Sequence, residues 1–432
     1  MPEDDLAAIA ATLAGGDERA AFTKLRGRFG WPHGKDLGRA VPSELSMWIA
    51  MLGTLAAKRG AAQLDELAQA VVRDPDSPDR LYDLGFALID AGVPAIAATV
   101  LWRCLGLVGD SEEVVCELVS ALETAMFYED AFAILAERDA LRAQSFLCQY
   151  LYAFDAAMTG RLSIVRETLA TLDADAPEHE TMKGTIERLV ARADAVAGVS
   201  PLDVTDLRGW HYVLTGGLLL HQSPFGFPEP MHGRYAWLQD SYARIATGLQ
   251  RLKPFVAGLP CVYAPEGRDH EIVAQAAAQL LGLPLAPWPA IGVPAPGLIV
   301  AYQIDQLPRE TLTVLAQRRP DQLLYAHASP WTQDFPIAPD VTMLLCQSLV
   351  APWGEVMKVD PDSREVTRTP PDMREVDAIA AQIAAHPGVG DDELEADEPE
   401  RWAALVALAW PLPPGPRSRL WAGGPVPSNR FE

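Results

Sequence analysis

Lysine is almost missing from this chain: six residues among 432, at positions 24, 35, 58, 183, 253 and 358. Lysine and arginine together number 35 against 58 acidic residues, a formal net charge of −23. A chain this short of positive charge lacks the basic face that neutralises nucleic-acid phosphates, and it suits anionic membrane surfaces no better. Neither nucleic acid nor membrane is expected as a partner. No apolar run approaches the roughly 20 residues of a membrane span. The opening MPEDDLAAIAATLAGG is acidic where a secretion signal would be basic. A cytoplasmic protein of bacterial type is expected, with the excess of arginine over lysine read as coding bias.

Cysteine is also scarce. Cys104, Cys116, Cys148, Cys261 and Cys346 form no CxxC pair and lie in apolar contexts, so reduced core thiols are expected rather than disulfides or a metal cluster. His211, His221, His232, His270 and His327 fit no ligand spacing such as HExxH, and no metal is expected. GxGxxG and GxxxxGK[ST] are missing, which leaves dinucleotide and P-loop nucleotide binding without support, and no cofactor is expected. There is no GxSxG elbow either; Ser223 and Ser329 stand before prolines, where serine commonly opens a turn.

What is present is an ordinary globular composition, 49% apolar and 22% charged, over a length that suits two or three domains. The first half carries a 34-residue period. In PDRLYDLGFALIDAGVPAIAATVLWRCLGLVGDS, residues 78–111, Leu81, Leu84, Gly85 and Leu88 mark one helix face, and Ala97, Leu101 and Cys104 the next. Shifted by the period, the pattern returns as Leu118, Leu122, Ala131 and Leu135, and then as Tyr152, Gly160, Val165 and Leu169. Stepping back gives Met47, Met51, Leu67 and Pro75. Gly92 and Gly160 permit a left-handed turn between paired helices, and Ala97 and Ala131 let those helices approach closely.

This pattern, over residues 44–179, resembles the tetratricopeptide repeat family, although Leu81, Val115 and Gln149 stand where the family has tryptophan. The resemblance implies stacked helical hairpins whose first helices line a concave surface. Trp48, Leu52, Tyr82, Phe86, Tyr150 and Phe154 would face it, with Tyr82/Phe86 and Tyr150/Phe154 each spaced i, i+4. An apolar inner face needs a cover: a protein or peptide partner, or the chain's own C-terminal half.

Between residues 195 and 208 the texture changes to short apolar runs, prolines and most of the aromatics. WHYVL (210–214) reads as a strand, and a helix is predicted from Tyr235 to Leu252. CVYA (261–264), GLIVAY (297–302), QLLYA (322–326) and VTMLLC (341–346) read as strands, with helices at His270–Leu281 and Glu310–Arg318 between them. Continuous apolar strands alternating with helices predict a mostly parallel sheet covered on both faces. The fold class is therefore α + α/β. A helical segment at 1–43 would precede hairpins at 44–200, an α/β domain at 201–385, and an acidic, proline-rich tail at 386–432 containing the helix RWAALVALAW. The acidic run GDDELEADEPE (390–400) reads as solvated, and Trp410 and Trp421 as residues that pack the tail.

In an open α/β sheet, ligands bind beyond the carboxyl ends of the strands. Those positions hold Glu266, Arg268, Asp269 and His270, then Gln303 and Asp305, then His327, Ser329 and Trp331, and finally Gln347. A carboxylate with His270 or His327 could move protons, and Arg268 could hold an anion at a helix N-terminus. Helix capping by Asp269 is the plain alternative. The layout faintly resembles the phosphoribosyltransferase fold, but LIVAYQIDQLPRETL retains only Asp305 of that family's acidic pair and has no glycine in the phosphate loop. The loop HQSPFGFPEPMHGR, with Phe225 and Phe227 beside Gly226, suits a lid or a docking surface. The principal expectation is an adaptor that works through its hairpin array. The alternatives are a small-molecule-binding or transferase-like enzyme with a site at the strand ends, and a structural subunit.

Overall fold

The computed structural model describes residues 2–39, 41–224, 231–289, 292, 294, 296–359, 363–364, 366–388 and 399–428. Phe225–Phe227 of the candidate lid and residues 390–398 of the acidic run lie outside the described residues. The chain divides into two compact units, Met1–Glu187 and Arg188–Glu432.

In the first unit, α1 (Pro2–Ala14) and α2 (Glu18–Phe29) precede four helical hairpins. These are α3 (Pro42–Lys58) with α4 (Ala62–Arg73), α5 (Pro78–Asp90) with α6 (Pro94–Val108), and α7 (Glu112–Thr124) with α8 (Tyr128–Ala136). After the single turn α9 (Asp139–Arg142), α10 (Phe146–Met158) pairs with α11 (Leu162–Leu169), and α12 (Pro177–Val196) crosses the division between the units. Prolines at the first turn of α3, α5 and α6 start those helices without losing a helical hydrogen bond.

The turns repeat one device. The N–H groups of Ala61, Val93, Phe127 and Arg161 each donate to a carbonyl five residues back, on Ala56, Leu88, Leu122 and Ala156, at 2.7–2.9 Å. This is the six-to-one bond of a Schellman ending, which needs a left-handed residue just before the donor. Gly60, Gly92 and Gly160 supply it at φ 77°, 73° and 78°, and Met126 holds the same place at φ 62°. The last three turns fall 34 residues apart, as the sequence period requires. Leu84, Leu88, Leu101, Leu118, Leu122 and Leu135 are fully buried between the helices, each such side chain contributing ~1.5–3 kcal/mol of transfer free energy.

The second unit is built on a parallel sheet. It contains β1 (Leu218–Leu219), β2 (Tyr235–Gln239), β3 (Val262–Tyr263), β4 (Leu285–Ala286) and β5 (Gly297–Gln303). β6 (Gln317–Arg318), β7 (Gln322–Ser329), β8 (Val341–Val350), β9 (Val356–Val359), β10 (Val366–Thr369) and β11 (Gly415–Pro416) follow. The order across the main sheet is β1-β8-β7-β5-β3-β4, with β2 also on β8, and every pairing in it is parallel. Outside the main sheet, β9–β10 and β6–β11 pair antiparallel. From β3 onward the order is that of an open doubly wound sheet, with its switch point between β3 and β5.

One face of the sheet carries α14 (Tyr242–Gln250), α15 (Arg268–Leu281) and α17 (Val376–Ala384), which pack on one another. On the other, Ile299, Ala301, Leu324 and Ala326 pack with Leu312 and Leu315 of α16 (Arg309–Leu315) and with Leu420 near the C-terminus. That C-terminal segment is tied down by a buried ion cluster at the amino ends of the strands. Arg417 clamps Asp340 through Nε and Nη2 at 3.0 and 2.7 Å, and Arg318 Nε donates to Asp340 Oδ1 at 2.7 Å. Burial would raise the Asp340 carboxyl, but the two guanidinium groups and the Leu324 N–H hold it below the usual carboxylate range.

Three elements differ from the sequence reading. WHYVL belongs to a helix, α13 (Leu207–Thr215): Asp206 accepts from Gly209 N–H at its start, and Gly216 ends it at φ 74°. The predicted helix from Tyr235 begins later, because Tyr235–Gln239 pairs with β8 and Ser241 caps α14 through Arg244 N–H. The predicted helix to Arg318 stops at Leu315, where Gln317–Arg318 pairs with β11.

Candidate functional site

The sequence points to two places, one in each unit. In the first unit, a groove of about 760 Å³ opens between the first two hairpins, with Leu64, Leu67, Tyr82 and Phe86 as its apolar wall and Asp83 and Asp90 as its charged groups. Among the described residues, no lysine or arginine lines it. Phe86 is 46% exposed and Tyr82 half-buried. The surroundings are acidic as well. The Tyr82 phenol is pushed up to about 12 by burial and then by the charges of Glu117 and Glu113, and Glu113 also hydrogen-bonds it. The Glu117 carboxyl is raised by burial and by Asp90 and Glu113.

The other aromatic positions read from the repeat are placed differently. Trp48, Leu52 and Phe154 are buried, at 2%, 4% and 4% exposure. Trp48 sits 6.0 Å from the ring of Phe29 and is part of the core. Tyr150 is half-buried and stacks on Phe154 at 6.2 Å. Of the six residues, only Tyr82 and Phe86 line the groove.

In the second unit, the switch point lies beside the loop that follows β3. Gly267 precedes α15, whose first turn carries Arg268, Asp269 and His270. Each of the three is turned toward its own chain. Arg268 Nη2 donates to the carbonyl oxygens of Asp372 and Arg374 at 3.2 and 2.6 Å. Asp269 accepts from Trp353 Nε1 at 2.6 Å. His270 is buried, and its Nδ1 accepts the Tyr302 N–H at 3.0 Å. Burial holds the His270 imidazole below its ordinary pKa, and so neutral. Glu266, Asp305 and Gln347 are exposed, Gln303 half-buried, and Asp305 stands on the single 3-10 turn Ile304–Gln306.

His327 belongs to a network that sequence reasoning found only in part. Its Nε2 lies 3.0 Å from Asp240 Oδ2, and its Nδ1 is 3.2 Å from the Tyr325 hydroxyl. Tyr302 donates from its hydroxyl to Asp240 Oδ2 at 2.9 Å and stacks on the His327 ring at 5.5 Å. Ser241 N–H donates to Asp240 Oδ1, and Arg244 Nη1 lies 3.6 Å from it. Burial raises the Asp240 carboxyl, but His327, Arg244 and the backbone bond hold it below the usual range. None of these side chains belongs to a residue more than 5% exposed. A histidine–aspartate pair can accept a proton in an open cleft. Here the pair is enclosed, and it fixes the start of α14 to the centre of the sheet. The nearby Cys346 thiol is pushed up to about 12 by burial and is no nucleophile at neutral pH. Asp240, missed in the sequence, does leave a local sign there: the Asp-Ser pair at a helix start in LQDSYAR.

Other polar candidates make hydrogen bonds within the chain. Ser329 Oγ is 3.1 Å from Thr342 Oγ1, Trp331 Nε1 donates to the Tyr235 carbonyl, and His221 Nε2 is 2.7 Å from the Tyr235 hydroxyl. Among the described residues, no group of three or more His, Cys, Asp or Glu side chains could hold a metal ion. In comparison with known proteins, the chain matches no family model and no curated protein.

Proposed function

We propose that this protein is an adaptor, and that the groove at Phe86 docks a segment of a protein partner carrying an apolar anchor flanked by basic residues. The hairpin array is similar to tetratricopeptide repeats in its 34-residue period and in its recurring turn bond, and that family uses its first helices to line a binding surface. One observation carries the reading: an aromatic side chain 46% exposed inside a groove whose charged lining, among the described residues, is acidic. Exposed aromatics of this kind serve as interface anchors, and the carboxylates supply charge complementarity and steering. In the second unit Arg268 and His270 are occupied by their own chain, which favours this reading over a transferase-like one.

The test is fluorescence anisotropy with labelled peptides that place one leucine or phenylalanine among arginines, against the same peptides with glutamate instead. The basic series is expected to bind, to weaken as salt rises, and to lose ~10-fold in affinity on Phe86→Ala, as an anchor worth about 1.4 kcal/mol would. Equal binding of basic and acidic peptides, or an unchanged affinity in the Phe86→Ala protein, overturns the proposal.

A further inference from the structure

Two of the five thiols are neighbours. Cys116 on α7 and Cys148 on α10 lie with their sulfur atoms 3.6 Å apart, each a free thiol. Their helices are the first members of successive hairpins and pack side by side. Cys148 is fully buried, whereas Cys116 is partly exposed. A disulfide bond is about 2.05 Å long, so a closure of roughly 1.5 Å separates this contact from a bond.

We infer that Cys116 and Cys148 form a redox modification site, a dithiol that small-molecule disulfides of the glutathione type convert reversibly to an intramolecular disulfide bracing α7 against α10. The inference stands on the sulfur–sulfur contact and on the unequal exposure of its two members, and it is independent of the docking role of the groove.

The surroundings favour loss of the first proton. The Cys148 thiol is held below its ordinary value: the hydrogen bond from Cys116 is the largest influence, burial opposes it, and the Ser145 hydroxyl and the Arg138 charge assist. Cys116 is shifted upward in turn, by the same contact and by burial. One proton is thus shared between two sulfurs, and the anion can be expressed at either. When it is expressed at Cys116, the thiolate attacks one sulfur of glutathione disulfide. A Cys116–glutathione bond forms, the external disulfide breaks, and one glutathione thiolate leaves and takes up a proton. Cys148 then gives its proton to solvent and attacks Cys116 Sγ. The internal disulfide forms, and the second glutathione leaves as its thiol. The two protein thiols lose two electrons in total, and the glutathione disulfide gains them.

The test equilibrates the intact chain in glutathione buffers from fully reduced to fully oxidised, traps free thiols under denaturing conditions, and maps the peptides by mass. The expected product is a Cys116–Cys148 cross-link lighter by two hydrogens, reversed by dithiothreitol and missing in Cys116→Ser. Oxidation should also raise the Tm of the first unit by on the order of 5–10 °C, since the cross-link closes a loop of intermediate length. A glutathione adduct that accumulates on Cys116 without closing, a link from Cys116 to Cys104, or both thiols still free in the most oxidising buffer would overturn the inference. These readouts come from the unsubstituted protein, so a folding defect in Cys116→Ser cannot obscure them.

Discussion

Met126 offers a direct test of the repeat, because it is a side chain in a place built for glycine. It occupies the left-handed position after α7 at φ 62°, where the equivalent residues of the flanking turns, Gly92 and Gly160, have φ 73° and 78°. The chain accepts it because the Phe127 N–H still reaches the Leu122 carbonyl at 2.8 Å. An L-residue with a Cβ costs ~1–2 kcal/mol in this conformation. Glycine removes that cost but adds back-bone freedom to the unfolded chain, which offsets ~0.5–1 kcal/mol. Met126→Gly should therefore stabilise the first unit by about 0.5–1 kcal/mol, a rise in Tm of roughly 1–4 °C for a unit of this size. The reciprocal change is Gly92→Ala. A Cβ there would meet no atom within 4 Å, so the substitution reads the backbone conformation alone. It should lower the same transition by ~1–4 °C. Thermal unfolding followed by far-ultraviolet circular dichroism separates the outcomes, since opposite shifts of one transition identify it as that of the hairpin unit. A fall in Tm for Met126→Gly, or no response to Gly92→Ala, would refute the shared turn geometry and with it the structural basis of the repeat.

Two further predictions concern the second unit. His211 is buried on α13, and its Nε2 has no hydrogen-bond partner among the described residues. Burial, with Arg234 adding to it, lowers its pKa to about 4 from an ordinary 6.5. The folded state therefore refuses a proton that the unfolded chain accepts. Stability should be complete above pH 6.5 and fall by about 3 kcal/mol on the way down to pH 4. Urea melts across that window should show the slope in the native sequence and lose it in His211→Asn; an identical slope in both would assign the acid sensitivity elsewhere. Asp340, whose folded pKa is depressed, contributes stability present above the ordinary carboxylate range and lost as pH falls through and below it. Asp340→Ala leaves the Arg417 guanidinium buried without its carboxylate and should cost ~3–5 kcal/mol. A loss below 1 kcal/mol in denaturant melts would show that Leu315 and Gln322, which also accept from Arg417, suffice to hold it.

How far the fold could be read in the sequence depended on whether a signal was local. The hairpins were legible because each turn writes its own requirement into a few adjacent residues, and because Gly92 and Gly160 repeat it at the period of the buried leucines. The central strands were legible because strands buried on both faces are apolar over most of their length, as Leu323–Ala326 and Met343–Cys346 are. The strand-like composition of WHYVL misled because tryptophan, tyrosine and valine favour strands only weakly, whereas Asp206 and Gly216 cap that segment as a helix. YAWLQ was misread for the opposite reason: nothing within it excludes a helix, and its pairing with β8, more than a hundred residues onward, decides the matter.

The same distinction governs the sites. His327 was visible as a polar residue following the apolar run 322–326, and the structure takes it into β7, but its partner Asp240 precedes it by 87 positions and meets it only through the packing of α14 on the sheet. Cys116 and Cys148 are 32 apart, not 34, so the repeat does not mark them as equivalents, and each alone reads as an ordinary buried thiol. Their contact arises because α7 and α10 hold corresponding places in successive hairpins, which brings positions near one period apart in the chain into lateral contact. A repeat of this kind therefore encodes more than stacking. It makes any two reactive side chains spaced close to its period on first helices candidates for a pair, and here the polar residues of α5 and α7 obey the same rule. Tyr82 and Glu113, 31 residues apart, meet across the two helices. The Tyr82–Glu113 contact and the thiol pair thus follow from one geometric fact, the side-by-side packing of first helices, whereas the groove at Phe86 opens between the second helix of one hairpin, α4, and the first helix of the next, α5.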